Sequence, residues 1–270
     1  MTGPGRRLPA LFQAVTGLAG RRERRGGGVL PSPNIWNWPD LYEVENRAQD
    51  PDGVLWDALR AARDWSGADV VDVGCGAGFH LPVFARSAAR VVGVEPHPPL
   101  AAAARQRVRD LPAVTVHEAG AQRLPLPDAA VDLVHARTAY FFGPGCEPGL
   151  VEADRVLRPG GTLAVVDLDA TRHSYGRWMR ADLPRYDPLA AERFFVERGF
   201  SCQRFDVDWR FDDRRSLESV LGIEFSPEIA ARAAAEVPGL SFRVGYRVHV
   251  RHKPRGPVLP NGATARDDPR

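Results

Sequence analysis

The stretch that decides the fold is Val70–His80, VVDVGCGAGFH. Three valines surround one aspartate, as in a short buried strand, and a Gly-x-Gly-x-Gly turn follows at Gly74, Gly76 and Gly78. Gly74 can leave the strand with φ above zero. Gly76 lets the main chain approach a ligand with no Cβ between them, and Gly78 lets a following helix sit close to the sheet. The pattern predicts that helix from near Phe79, its first turn offering free N–H groups and partial positive charge to an anion.

By itself such a turn suits a dinucleotide, or no ligand at all. A dinucleotide fingerprint wants its third glycine one residue later, and that place is Phe79. Asp72, two residues before Gly74, would repel a pyrophosphate. It suits a ligand whose near end carries an ammonium and a sulfonium. The next strand closes at Glu95, 23 positions after Asp72, where a carboxylate can accept both hydroxyls of a ribose.

Outward from this unit, short apolar strands alternate with helical stripes, the signature of βαβ units on a parallel sheet. Strands are predicted at 70–73, 90–94, 113–117, 131–134 and 162–168. Helices are predicted at 53–65, 100–109, 150–157, 190–198 and 227–237. Pro159-Gly160-Gly161 reads as the stop of the 150–157 helix. Segments 201–211 and 241–251 alternate like antiparallel strands.

Four blocks in this order resemble a known family: VVDVGCGAGFH, VVGVEP, RLPLPDAAVDLVHAR and ADRVLRPGGTLAVVD, spanning Val70 to Asp167. The chain is similar to the class I S-adenosylmethionine (SAM)-dependent methyltransferases, particularly their bacterial small-molecule branch. The resemblance implies an α/β, Rossmann-like three-layer sandwich, its seven-stranded sheet mostly parallel with an antiparallel last strand. It implies SAM as cofactor, with Asp72, Gly74, Cys75 and Gly76 at its methionine end, Glu95 on the ribose and Pro96 beside the adenine. Where relatives often read Asp-Ala-Glu near the adenine, this chain has Gly120, Ala121 and Gln122. Adenine is then read by backbone groups or by Gln122.

Methyl transfer needs alignment of the acceptor with the methyl group and, for a protonated acceptor, a base. Many relatives carry a histidine pair in the loop after the fourth strand; those places align here with Phe141 and Phe142. Tyr140, His135 and His173 remain as catalytic candidates, although His135 reads better as a packed residue beneath the cofactor and Tyr140 reads equally as core packing. A second cluster, Asp167, Asp169, His173, Tyr175 and Trp178, follows the fifth strand. It lacks a third ligand at recognisable spacing, so no metal is expected. Upstream, NIWNWPDLYEVEN supplies Trp36, Trp38 and Tyr42, suiting either a lid over an apolar acceptor or a helix stapled to the sheet edge.

Composition narrows the alternatives. Of 270 residues, 44% are hydrophobic and 26% charged, ordinary for a globular enzyme. Lys253 is the one lysine among 36 basic residues, which suits GC-rich bacterial coding. Residues 1–30 carry a net +5 and the rest a mildly acidic balance, arguing against a nucleic-acid groove within the fold. Residues 1–33 read as a flexible basic leader and 254–270 as a disordered tail, leaving 34–253 as the methyltransferase domain, with 34–66 its N-terminal lid or helical segment. RRLPALFQAVTGLAG resembles a twin-arginine signal only faintly, and no window reaches the ~18 apolar residues of a membrane span. Three scattered cysteines, Cys75, Cys146 and Cys202, fit a reducing cytoplasm. The expected function is methyl transfer to a small molecule. A non-catalytic SAM-binding protein is the alternative, then an RNA methyltransferase guided by the arginine arm.

Overall fold

The computed structural model describes residues 29–140 and 143–256. The leader as far as residue 28, Phe141 and Phe142, and the tail from residue 257 lie outside the described residues. Three helices precede the first strand: α1 (Pro33–Asn37), α2 (Pro39–Ala48) and α3 (Val54–Ala62). Then come β1 (Asp69–Val73), α4 (Leu81–Ala85), β2 (Arg90–Glu95), α5 (Pro98–Arg107), β3 (Val114–Glu118) and β4 (Val131–Arg137). Next are α6 (Glu147–Val156), β5 (Leu157–Leu168), α7 (His173–Asp182), α8 (Pro188–Val196) and β6 (Ser201–Arg210). Helices α9 (Arg214–Glu224) and α10 (Pro227–Glu236) lead into β7 (Ser241–His252).

The strands form one seven-stranded sheet in the order β3-β2-β1-β4-β5-β7-β6. Pairs among β1 to β5 are parallel, while β7 is antiparallel to both β5 and β6. So β7 alone runs against the rest, as expected. Strand alternation splits the core in two. Val70, Val91 and Leu133 face one apolar layer with Trp178, Trp209 and Phe225. Val71, Val92 and Val134 face the other with Leu150, Phe194 and Phe195. The order of strands reverses between β1 and β4, and a crevice opens there beyond the strands' C-terminal ends.

Local chemistry explains the helix starts. Proline stands in the first turn of α1, α2, α5, α6, α8 and α10, where its missing N–H costs nothing. Asp187 caps α8 and Asp213 caps α9 by accepting backbone N–H bonds. Two readings of the sequence need correction. The helix after the glycine turn begins at Leu81, two residues later than predicted. Pro159-Gly160-Gly161 lies inside β5 and is not the stop of α6, which ends at Val156: Gly160 N–H donates to Lys253 O and Lys253 N–H to Gly161 O. Strand β4 meets this irregularity as a register shift between Val131 and Leu133. Helices α7 and α9 were not legible, because each carries an interior glycine that weakens the pattern. At Gly176 the reason is close packing, since a Cβ would lie 2.6 Å from the Ala170 carbonyl.

Candidate active site

The glycine turn takes the shape its sequence suggests. Gly74, Gly76 and Gly78 have φ of +74°, +56° and +77°, left-handed values that favour glycine. Gly76 N–H donates to Glu95 Oε2 at 2.9 Å, and His97 N–H donates to Glu95 Oε1 at 2.9 Å. Glu95 is buried, and burial raises its pKa against those two bonds. A Cβ on Gly76 would stand 2.7 Å from Ile35 Cδ1, so α1 closes directly over the turn. Beside it, Trp36 stacks on His97 with ring centroids 4.3 Å apart.

Asp72 is 2% exposed at the end of β1. His135, the neighbouring residue in β4, donates from Nδ1 to Asp72 Oδ1 at 2.7 Å, leaving Asp72 Oδ2 without a partner. A buried carboxylate oxygen with nothing to accept is costly unless a ligand completes it. The crevice beyond it is a cavity of about 370 Å³. Asp72, Gly74, Cys75, Gly76, Glu95 and Pro96 line one side with Ala121 and Gln122; Gly120 lies outside the walls, against the Gln122 side chain. Cys75 stays a thiol, because burial and the nearby Asp72 and Glu95 push its pKa far up.

The catalytic candidates separate. Tyr140 lines the cavity, 4% exposed, its hydroxyl without a partner among the described residues. His135 does not line it: the ring sits behind Asp72, fully buried against Phe84 and Trp56. His173 is not a wall residue either, being hydrogen-bonded to Asp206 at 2.7 Å. Tyr175 and Trp178 are core residues. Trp36 and Tyr42 line the cavity and Trp38 does not. Asp169 is taken up by Thr171 and Arg204, and among the described residues no group of three or more His, Cys, Asp or Glu could hold a metal.

The side opposite the glycine turn holds residues that pattern reading missed. Glu45 of α2 and Glu224 of α9 are 3% and 4% exposed and line the cavity where the two helices pack together, each acting on the other's charge. Arg137, at the end of β4, donates to Gln49 Oε1 at 2.8 Å beside them. One signal was available: Glu45 follows Tyr42 by three residues, placing both on one helical face. Glu224 left only a charge on the stripe of a helix that pattern reading missed, and its partner Asn34 is 190 positions away.

Residues 71–165 match the family described as "Methyltransferase domain". A probable S-adenosylmethionine-dependent methyltransferase of Mycobacterium tuberculosis is 30% identical over 221 residues, covering 73% of this chain and 76% of that protein. The chain belongs to the class I S-adenosylmethionine-dependent methyltransferases. A SAM-dependent methyltransferase of Thermotoga maritima shares this methyltransferase fold with a TM-score of 0.52 at 20% identity, over 82% of this chain and 98% of that one. The 37.1 kDa protein of transposon TN4556 from Streptomyces fradiae is 29% identical over 240 residues, 81% of this chain and 68% of that protein. Of several other curated relatives the chain spans about half the length. SAM is the family's cofactor, and the open Asp72 Oδ2 and the Cβ-free cradle at Gly76 fit it. Among the described residues, no helix of this methyltransferase is long and apolar enough to cross a membrane.

Proposed function

We propose that the protein transfers a methyl group from SAM to a small organic acceptor held between the glycine turn and helices α1, α2 and α9. The supporting observation is one continuous cavity with a cofactor-type wall on one side and a separate aromatic and acidic wall on the other. SAM supplies a methyl group on a sulfonium, open to in-line displacement. In this reading Asp72 Oδ2 takes the ammonium, Glu95 the ribose hydroxyls, and Pro96, Ala121 and Gln122 flank the adenine. The backbone of Gly74, Cys75 and Gly76 runs along the methionine end. The protein's own contribution is alignment and exclusion of water, with α1 covering the turn. Tyr140 presents a free hydroxyl toward an acceptor. Three unpaired cysteines support a reducing, cytoplasmic setting.

Titration calorimetry with SAM and S-adenosylhomocysteine tests cofactor binding. Incubation of the full chain with methyl-tritiated SAM and a cell extract tests the acceptor. Label in low-mass species supports the proposal; label confined to RNA or protein, or no binding heat, overturns it. The Trp36–His97 stack makes a smaller prediction. Trp36→Ala removes one aromatic pair worth ~0.5–1.5 kcal/mol, so affinity for SAM falls about two- to tenfold. The same titration reads it, and an unchanged Kd places Trp36 outside the closure.

A further inference from the structure

We propose that Glu45 and Glu224 act together as the proton acceptor for a neutral hydroxyl-bearing acceptor, a phenol or enol, bound in the apolar part of the cavity. The inference rests on the methyl-transfer reading above and adds the substrate class and the base.

Both carboxyls are buried on the cavity wall where α2 and α9 pack together. Glu224 Oε1 accepts from Asn34 Nδ2, and Glu224 Oε2 accepts from Tyr175 OH at 2.5 Å. Glu45 Oε1 accepts from Gln49 Nε2 at 2.8 Å, whereas Glu45 Oε2 is buried with no donor directed at it. Two buried carboxylates that neighbour each other resist joint ionisation; a proton on Glu45 Oε2 turned toward Glu224 satisfies the orphaned atom. Burial and the neighbouring Glu224 hold the Glu45 carboxyl well above its usual range, and burial raises Glu224 too. The titratable and charged groups facing the pair are Tyr42 on α2, Tyr175 on α7, Arg137 on β4 and Tyr246 on β7. The tyrosines are held neutral by burial, so Arg137 is the one cation among these groups.

Charge then selects the acceptor. With one proton shared, the pair carries a single negative charge, and Arg137 balances it. No charge is left over to attract an ammonium, which argues for a neutral acceptor rather than an amine. Asn34, 5% exposed on the cavity wall, orients Glu224 by donating from Nδ2 to its Oε1. Ile35, Phe79, Leu168 and Met179 supply apolar surface for the rest of the molecule. In the reaction the hydroxyl oxygen forms the new bond to the methyl carbon, and the carbon–sulfur bond breaks with its electron pair retained by sulfur. The hydroxyl proton passes to the carboxyl pair. A buried pair is a stronger base than a solvated carboxylate, closer to the working pH at which general bases are most effective.

The test uses the full chain with SAM and three probe acceptors: 2-naphthol, 2-naphthylamine and 4-nitrophenol. 2-Naphthol has a pKa close to that of tyrosine, about 10, and needs a base at neutral pH. 4-Nitrophenol is largely ionised in mildly alkaline buffer and needs none. We expect Glu224→Gln to slow methylation of 2-naphthol by ~10²–10⁴-fold and that of 4-nitrophenol far less. Glu45→Gln keeps a donor toward Glu224 and loses less. Alkaline buffer, which ionises the naphthol, restores the Glu224→Gln rate. Independently of activity, the difference infrared spectrum between wild type and Glu45→Gln at neutral pH contains a protonated-carboxyl stretch. Equal loss with both phenols, faster methylation of the amine, or absence of that stretch overturns the proposal. So does a protein that binds SAM and methylates no phenol, whereas failure to bind SAM at all sinks the methyl-transfer reading itself.

Discussion

Asp72→Asn lowers the affinity for SAM and S-adenosylhomocysteine by about 10²-fold or more, and leaves affinity for 5′-methylthioadenosine within about a factor of two. The first two ligands carry the ammonium proposed to meet Asp72 Oδ2; the third keeps the adenosine and lacks the amino-acid end. A charge-assisted hydrogen bond in a site only 2% exposed is screened little by water. Truncating one partner of such a pair typically costs ~2–5 kcal/mol, and 10²-fold is about 2.7 kcal/mol. Asparagine is isosteric and its Oδ1 can still accept from His135 Nδ1, so the end of β1 keeps its packing. Glu95→Gln is the control, weakening all three ligands because each has the ribose. Calorimetry on the six combinations decides it. Equal loss of all three with Asp72→Asn would mean a damaged turn, and loss of none would place the ammonium elsewhere.

The part of the fold legible in sequence is the part built from local rules. Val70–His80 announces its own strand and turn because glycine spacing and β-branched residues act within a dozen positions. The sheet's later half was legible by alternation, as in β6 and β7. The N-terminal aromatic segment posed a choice that composition could not make. In the structure Trp36 and Tyr42 face the cavity from α1 and α2, while Trp38, of the same residue type, is 40% exposed. What separates them is the break between two short helices at Pro39, a geometric fact invisible to residue counting.

The candidate site divides the same way. Asp72 and Glu95 stand at strand ends, and a strand end on a parallel sheet has one place to face. The acidic wall comes from α2 and α9, which meet only because the chain returns through β6 and α9 after some 180 residues. Helical periodicity would score Glu224 as a misplaced polar residue on the face that buries Leu217, Val220 and Leu221. A charge on a buried helical stripe is the trace such a site leaves in sequence. His173 shows the opposite error, since histidine beside two aspartates looks chemical but here bonds Asp206, away from the cavity walls.

Asp167→Asn removes one falling component from the pH dependence of stability between about pH 4 and pH 7, and makes the protein more stable than wild type above that range. Asp167 lies at the end of β5, fully buried, with no hydrogen-bond partner on either carboxylate oxygen. Its register neighbour Arg247 is committed elsewhere, to Pro188 O at 2.7 Å and Tyr186 OH at 2.9 Å. Burial therefore dominates and pushes the Asp167 pKa up to about 7, with Arg247 pulling weakly the other way. The unfolded carboxyl ionises near 3.9, so between the two values the folded state holds a proton the unfolded state has released. The contribution of Asp167 to stability is full below about pH 4, falls as pH rises, and levels off above about pH 7. A shift of roughly three units corresponds to ~4 kcal/mol as an upper bound, reduced by any relaxation around the charge. His249, on the same face of the sheet, is held neutral by burial with its pKa lowered to about 3, while its unfolded imidazole keeps a proton up to about pH 6.5, so it slopes the opposite way across this window, equally in both proteins. The raised carboxyls of the Glu45–Glu224 pair slope in the same direction but are common to both proteins, so the difference between them isolates Asp167. Urea unfolding of wild type and variant at about pH 5 and pH 8 measures it. Parallel curves, or a variant less stable at the higher pH, would show that Asp167 is ionised and paired within the folded sheet.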